Sequence, residues 1–461
     1  MKLSFHGADR GVTGSCHMLE AAGRTILIDC GLYQGGRQIE EDNARDFGFD
    51  AAKIDTVLLT HAHLDHCGRL PLLTRRGFSG EIIATAATRE LARVVLLDAA
   101  HLQEEEARFR SRPHERRGAA NGPVEPLFSL LDAMDVFDRF GRVAAYRKVI
   151  ELAPGLRATF FDAGHILGSA SVLIEADEGG ARKILFSGDI GNYGGALLRD
   201  PDPPENVDVA IMETTYGDRL HRSLPATLEE FYLALNEAFQ RGGNVIIPTF
   251  ALERTQDVLF FLREGVEQNK LAPSIQVFLD SPMAISATEI FRKHPECYGA
   301  ETARLFAERI DPFGPPGLHF CRETAESIAL NSISGGAVIL AGSGMCTGGR
   351  VRHHLRRNLG RPDSSVIFVG FAAKGTLARQ IVDGARHVMI FGENVPVRAH
   401  IYTINGFSAH ADQAELLAWR KTANPRRTFL VHGEEEAMKA FAAKTGDADV
   451  VLPELGQAFD L

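Results

Sequence analysis

The chain has 461 residues, 45% hydrophobic and 24% charged, which is too long for one ordinary core and predicts two domains of a globular protein. No apolar run approaches the ~18 residues of a membrane span, and the start MKLSFHGADR lacks the apolar stretch of a signal peptide. Six scattered cysteines without a CxxC pair fit a reducing cytoplasm, and a net charge of -10 argues against a broad nucleic-acid-coating surface but not against a local grip.

Along the first half one pattern repeats: a short apolar run, then polar or glycine-rich residues. TILID leads to Asp29 and Gly31. TVLLT reads as a buried strand and opens into His61-Ala62-His63-Leu64-Asp65-His66. Alternate side chains of an extended segment point the same way, so His61 and His63 can share one metal. Asp65 and His66 follow at a predicted strand-to-helix turn and can face a second. Histidine is the commonest ligand for a borderline metal such as zinc, and a carboxylate often completes the set.

A charged segment follows from about His101 to Arg142, including EEEARFRSRPHERRGAANGP. Its Gly, Pro and Arg content predicts a surface excursion with partly helical ends. The apolar runs then resume: ATFFDAG leads to His165, KILFSG to Asp189 and VAIMET to Glu213. Near the C-terminus TFLVHGE delivers His432. Six buried strands with chemistry at their C-terminal ends suggest one rim, the edge where open α/β sheets gather ligands.

From about Tyr216 to His400 the character changes. A helix expected over Thr227 to Gln240 alternates with strands NVIIPTF, IQVFLD, AVILAGS and SVIFVGF. This spacing predicts a second parallel-sheet domain with its own core. The ligand run returns only after it, at SAHAD and VHGE, so the middle domain reads as an insertion: residues 1–215 and 403–461 in one domain, 216–402 in the other. GSGMCTGGR, from Gly342 to Arg350, is a glycine-rich loop after a strand whose N–H groups could cradle a phosphate. Gly344, Gly348, Gly349 and Arg350 lie in it, and Lys374, Ser408 and Arg254 are further candidate phosphate contacts.

HAHLDH, GHILGS, FSGDIG and LIDCG together resemble the metallo-β-lactamase superfamily, and ETTYGDR, GSGMCTGGR, FSAHAD and LVHGEE resemble its β-CASP branch of nucleases. The likeness extends to bacterial RNA-processing relatives of the endonuclease subunit in pre-mRNA 3′-end cleavage. It implies an α/β fold: an αββα sandwich interrupted by an inserted β-CASP domain with a parallel sheet flanked by helices. It also implies two zinc ions per chain, or manganese. His61, His63 and His165 would bind the first, Asp65, His66 and His432 the second, with Asp189 bridging. Asp29 would orient a ligand rather than bind metal. Glu213 and His410 fill acidic and histidine motifs, as orienting residue and general acid. Histidine at position 432 resembles RNA-cleaving members rather than the Artemis type. The implied function is a cytoplasmic, metal-dependent ribonuclease, endo- or 5′-exonucleolytic. It would hold single-stranded RNA in an interdomain cleft, perform no membrane role and form a homo-oligomer if binding needs a second copy. A DNA nuclease, a small-molecule hydrolase of an ester, thioester or lactone, and an inactive scaffold are the alternatives.

Overall fold

Short apolar runs punctuated by turns must find partners edge to edge, and among the described residues they close into two seven-stranded sheets, one six-stranded sheet and a two-stranded hairpin. The computed structural model describes residues 1–35, 42–111, 124–178, 180–370, 372–446 and 449–461. They form two compact units: Met1–Gly195, Arg199–Leu220 and His410–Leu461 in the first, Ala196–Leu198 and His221–Ala409 in the second.

In the first unit one sheet runs Ala458–Asp460, Lys2–Phe5, His17–Ala21, Arg24–Ile28, Thr56–Leu58, Glu81–Thr85, Phe140–Ala144. Its last four strands are mutually parallel. The other runs Val450–Val451, Arg427–Val431, Val209–Glu213, Ala181–Phe186, Ala170–Asp177, Leu156–Asp162, Val149–Ala153, parallel across the first four. The sheets meet face to face over one core, where Leu3, Phe5, Ile28 and Leu58 pack with Phe160, Val172, Phe186 and Phe429. Each such side chain removed from water contributes about 1.5–3 kcal/mol. Helices cover the outer faces. Leu416 and Trp419 of helix Gln413–Ala423, with Met438 and Phe441 of helix Glu435–Thr445, pack on Leu173, Leu185, Met212 and Leu430. Helix Ala86–Arg110 contacts Glu81–Thr85 and Phe140–Ala144 on the other side. The layers are the αββα sandwich that the resemblance implies. VAIM, ahead of Glu213, reads as an unbroken apolar run because its strand is buried on both faces.

In the second unit the sheet order is Leu318–Phe320, Gln276–Leu279, Ala337–Ala341, Val245–Pro248, Ser365–Phe368, His400–Thr403, with every pairing parallel. This is the expected parallel-sheet architecture. An antiparallel hairpin, His387–Ile390 with Glu393–Pro396, stands apart from it.

One local expectation changes and another is met. The helix expected from Thr227 begins at Leu224, because Pro225 fits the first helical turn, where its missing N–H is no loss. The charged segment after His101 has the helical end expected at its start. Helix Ala86–Arg110 runs into it, favoured by the helix-forming sequence EEEAR and the i,i+4 pair Glu104–Arg108. Residues 112–123 of that segment, and Phe371 at the end of SVIFVGF, lie outside the described residues.

Candidate metal centre

Strand Thr56–Leu58 ends just before the cluster. His61 follows in extended chain, and His63 sits at the N-cap of helix Leu64–Cys67, which carries Asp65 and His66. His165 comes from the turn after Leu156–Asp162, where Ser169 Oγ accepts the N–H groups of His165 and Ile166. Asp189 follows Ala181–Phe186.

These residues converge in two sets. In the first, His63 Nδ1 lies 3.1 Å from His61 Nε2 and 3.2 Å from His165 Nε2. Asp189 Oδ2 lies 3.5 Å from both of those Nε2 atoms. The three rings stand at 79–82° to one another, so three lone pairs approach one point from separate directions. In the second set, His66 Nε2 is 3.3 Å from His432 Nε2 and 3.2 Å from Asp189 Oδ1, and His432 Nε2 is 3.5 Å from Asp65 Oδ2. Asp189 thus turns one oxygen to each set.

The imidazoles are held from behind. His66 Nδ1 is 2.7 Å from Asp29 Oδ2, and Asp29 also accepts the N–H and hydroxyl of Thr60, each at 2.8 Å. Thr215 Oγ1 is 3.2 Å from His432 Nδ1. Asp29 (φ 61°) and His432 (φ 48°) both take left-handed backbone at strand ends, where a non-glycine residue is strained by about 1–3 kcal/mol.

Burial pushes the His61 imidazole well below its ordinary value and His63 to about 4, leaving two neutral rings with lone pairs to offer. Burial lowers His66 too, but Asp189 and Asp29 outweigh it and raise that imidazole well above its ordinary value. Burial opposes ionisation of Asp189, but His432, His66 and His61 outweigh it and hold its carboxyl well below the usual range. Asp189 Oδ1 is buried and accepts no well-formed hydrogen bond, although His66 Nε2 is near. Imidazole nitrogens that carry no proton and carboxylate oxygens facing each other at 3.1–3.5 Å repel, and a cation among them relieves that repulsion. The donor set therefore fits bound divalent metal with N/O preference.

Glu213 is 0% exposed at the end of Val209–Glu213. Its Oε1 accepts Ile190 N–H at 2.7 Å and lies 3.1 Å from His410 Nδ1, while Oε2 accepts Thr215 N–H at 3.0 Å. Burial works against a charge on His410, but the Glu213 carboxylate outweighs it and raises the pKa to about 9. The His410 ring sits 4.5 Å from that of His165; His410 stands outside the two sets above but forms a third convergent group with Asp189 and Glu213.

The phosphate candidates belong to the second unit. Arg350 follows the glycine-rich loop, and its guanidinium donates to Asp280 at 2.7 Å, Cys321 O at 2.9 Å and Arg322 O at 2.7 Å. It ties strands together through buried Asp280, which also meets His354 at 2.6 Å. Arg254 is buried beside Asp257 and Phe407. Gly344 packs against the Phe250 ring and Gly349 against the Gly342 carbonyl, so close packing already explains those two glycines; Gly348 is open. Lys374 is exposed, and Ser408 lies before His410. Sequence reasoning missed Thr60, Ser169 and Thr215. The strand-end position of Thr60 and Thr215, next to His61 and Glu213–Thr214, was the available signal.

Two ligand sets sharing one carboxylate define a metallo-hydrolase centre. The chain matches the metallo-beta-lactamase superfamily over residues 9–249, the Beta-Casp domain over 255–381, and the Zn-dependent metallo-hydrolase RNA specificity domain over 394–453. It belongs to the metallo-β-lactamase superfamily, in its β-CASP branch. It is 40% identical over 440 residues to Ribonuclease TTHA0252 of Thermus thermophilus, covering 95% of each chain. It is 31% identical to Transcription termination factor FttA of Methanosarcina mazei, covering 95% of this chain and 67% of that one. It is 28% identical to an RNase J-like protein of Methanocaldococcus jannaschii, covering 95% and 94%. Among the described residues no helix is long and apolar enough to cross a membrane.

Proposed function

We propose that this chain hydrolyses RNA phosphodiester bonds with two divalent ions, zinc by default, and leaves a 5′ phosphate and a 3′ hydroxyl. The observation that carries the reading is Asp189, one carboxylate offered to two convergent ligand sets. RNA as substrate is supported by the match to an RNA specificity domain, by the ribonuclease named among the relatives, and by His432.

His61, His63, His165 and Asp189 would hold one ion; Asp65, His66, His432 and Asp189 the other. When bound, such ions lower the pKa of water toward neutrality and neutralise phosphoryl charge. The chain's own residues then supply orientation and the proton. Glu213 fixes His410 through Nδ1, so the proton His410 can pass on is the one on Nε2. The leaving 3′ oxygen needs that proton. Asp29 and Thr60 hold His66 in one tautomer and one direction.

The test offers the purified protein labelled single-stranded RNA, DNA of the same sequence and a chromogenic ester. RNA cleavage with 5′-phosphate products is the expected outcome. Ester turnover without RNA cleavage would move the chain to the small-molecule hydrolases, and no turnover with intact metal would make it a scaffold.

A further inference from the structure

The segment from Arg350 to Arg361 contains five arginines, two histidines and no acid, in a chain of net charge -10. Most of it is helix Val351–Asn358. Val351, His354, Leu355 and Asn358 are buried, so Arg352, His353, Arg356 and Arg357 form two outward i,i+4 rows. The helix lies along the hairpin described above. Arg356 pairs with Glu393 at 2.6 Å, and Leu359 O accepts the N–H of Arg398 at 2.7 Å. Arg386 joins Arg398 at the hairpin base, through Val397 N–H to Arg386 O at 2.9 Å. Arg357, Arg386 and Arg398 are exposed and make no ion pair among the described residues.

The hairpin tip adds an aromatic. Ile390 pairs with Glu393, so Phe391 and Gly392 make a two-residue turn, with φ of 53° and 80°. Such turns take Asn, Asp or Gly first, because a bulky side chain at positive φ is strained. Phe391 is nevertheless there, 43% exposed, with Met389 beside it at 58%. Arg352 lies over its ring at 4.4 Å, and the His353 ring is 4.5 Å away. Packing does not explain a strained aromatic that solvent reaches. A cationic track ending in an exposed, arginine-supported ring has the two parts a single strand needs: cations for phosphates and a face for a base.

We infer that this face of the second unit, from Arg398 and Arg386 along Arg357 to Phe391, is an RNA exosite that grips single-stranded RNA with none of the metal-centre residues. The inference rests on the RNA reading above and adds a second binding region to it. Phosphates lie on the arginines and one base stacks on Phe391. The grip is sequence-tolerant, because every base offers a ring face.

The experiment compares the intact metal-loaded protein with R357A/R398A, R357K/R398K and F391A. Each is assayed on single-stranded RNAs of increasing length and on bis-nitrophenyl phosphate, at several salt concentrations. All three residues are exposed, so the variants fold, and the small phosphodiester reports on an intact centre. The alanine pair should raise KM for long RNA on the order of tenfold and flatten its salt dependence by roughly 0.7 in log–log slope for each phosphate no longer neutralised. The lysine pair should restore most of both. F391A should raise KM on the order of tenfold without changing the salt slope. Turnover of bis-nitrophenyl phosphate should not change, and the RNA length at which the defect first appears reads out the span from exosite to cut. Unchanged KM and salt slope on long RNA would overturn the exosite while leaving the RNA reading intact. Failure of the parent protein to cleave any RNA would sink both. Loss of binding to phosphatidylserine vesicles with RNA kinetics unchanged would assign the face to membranes instead.

Discussion

Asp189 and His410 stand a few ångströms apart yet predict opposite phenotypes. Asp189→Ala removes an oxygen from both ligand sets, so metal analysis should find both ions depleted and activity gone. His410 touches Glu213 and borders His165 without joining either set. His410→Ala should therefore keep near-normal metal and lose on the order of 10²-fold or more in turnover, as for a missing general acid. Loss of metal from His410→Ala would overturn its placement outside the ligand sets. Asp29→Asn tests the support from behind. It keeps the volume but loses the carboxylate that fixes His66, and should weaken metal affinity by about 10–100-fold in a chelator titration. The clustering of these side chains was legible in the sequence, because three histidines and an aspartate in six residues have no common packing role. Their supports were not: Thr60 and Thr215 are ordinary strand-end threonines until the fold brings them against Asp29 and His432.

At the scale of elements, the centre depends on how closely two turns approach. A Cβ on Gly31 would lie 1.5 Å from the Asp65 carbonyl oxygen and 2.8 Å from His66 N, both backbone atoms that cannot swing aside. Gly31→Ala should thus push helix Leu64–Cys67 away and shift two ligands together. Expected are a lower denaturation midpoint, by more than the ~1 kcal/mol typical of point changes, and reduced metal content. Normal metal binding in a folded variant would refute the argument. Strand identities were readable from apolar runs because most of these strands are buried on both faces, which removes the ambiguity of alternation. Helix starts were less readable. Leu224 and Pro225 look like loop until Pro is placed in a first turn, and the helical end expected around EEEAR is the close of a 25-residue helix whose start at Ala86 the sequence did not mark. The hairpin with Phe391 at its tip carried no signal, since its turn breaks the usual Asn-Gly rule.

At the scale of the molecule, all seven side chains proposed to hold metal fall within the first compact unit. Bound ions should then stabilise that unit selectively, by RT ln(1 + [M]/Kd), about 2.7 kcal/mol at a hundredfold excess over Kd. Chelation should speed hydrogen exchange in the strands Thr56–Leu58, Ala181–Phe186 and Arg427–Val431 and leave Val245–Pro248 and Ala337–Ala341 unchanged. Equal loosening of both units would contradict it. The insertion was legible as a whole because the ligand run stops and resumes around a stretch with its own strand–helix rhythm.

Strand Arg427–Val431 lies between Val209–Glu213 and Val450–Val451, and His432 follows it. Six ligands are present once Asp189 has been synthesised, but the seventh lies about 240 residues later. At common elongation rates of about 5–20 residues per second that interval is roughly 12–50 seconds. During it the growing polypeptide has an incomplete catalytic centre, and the sheet that will carry it has not closed. Nascent chains stalled before His432 should therefore hold less metal than the full chain and cleave no RNA.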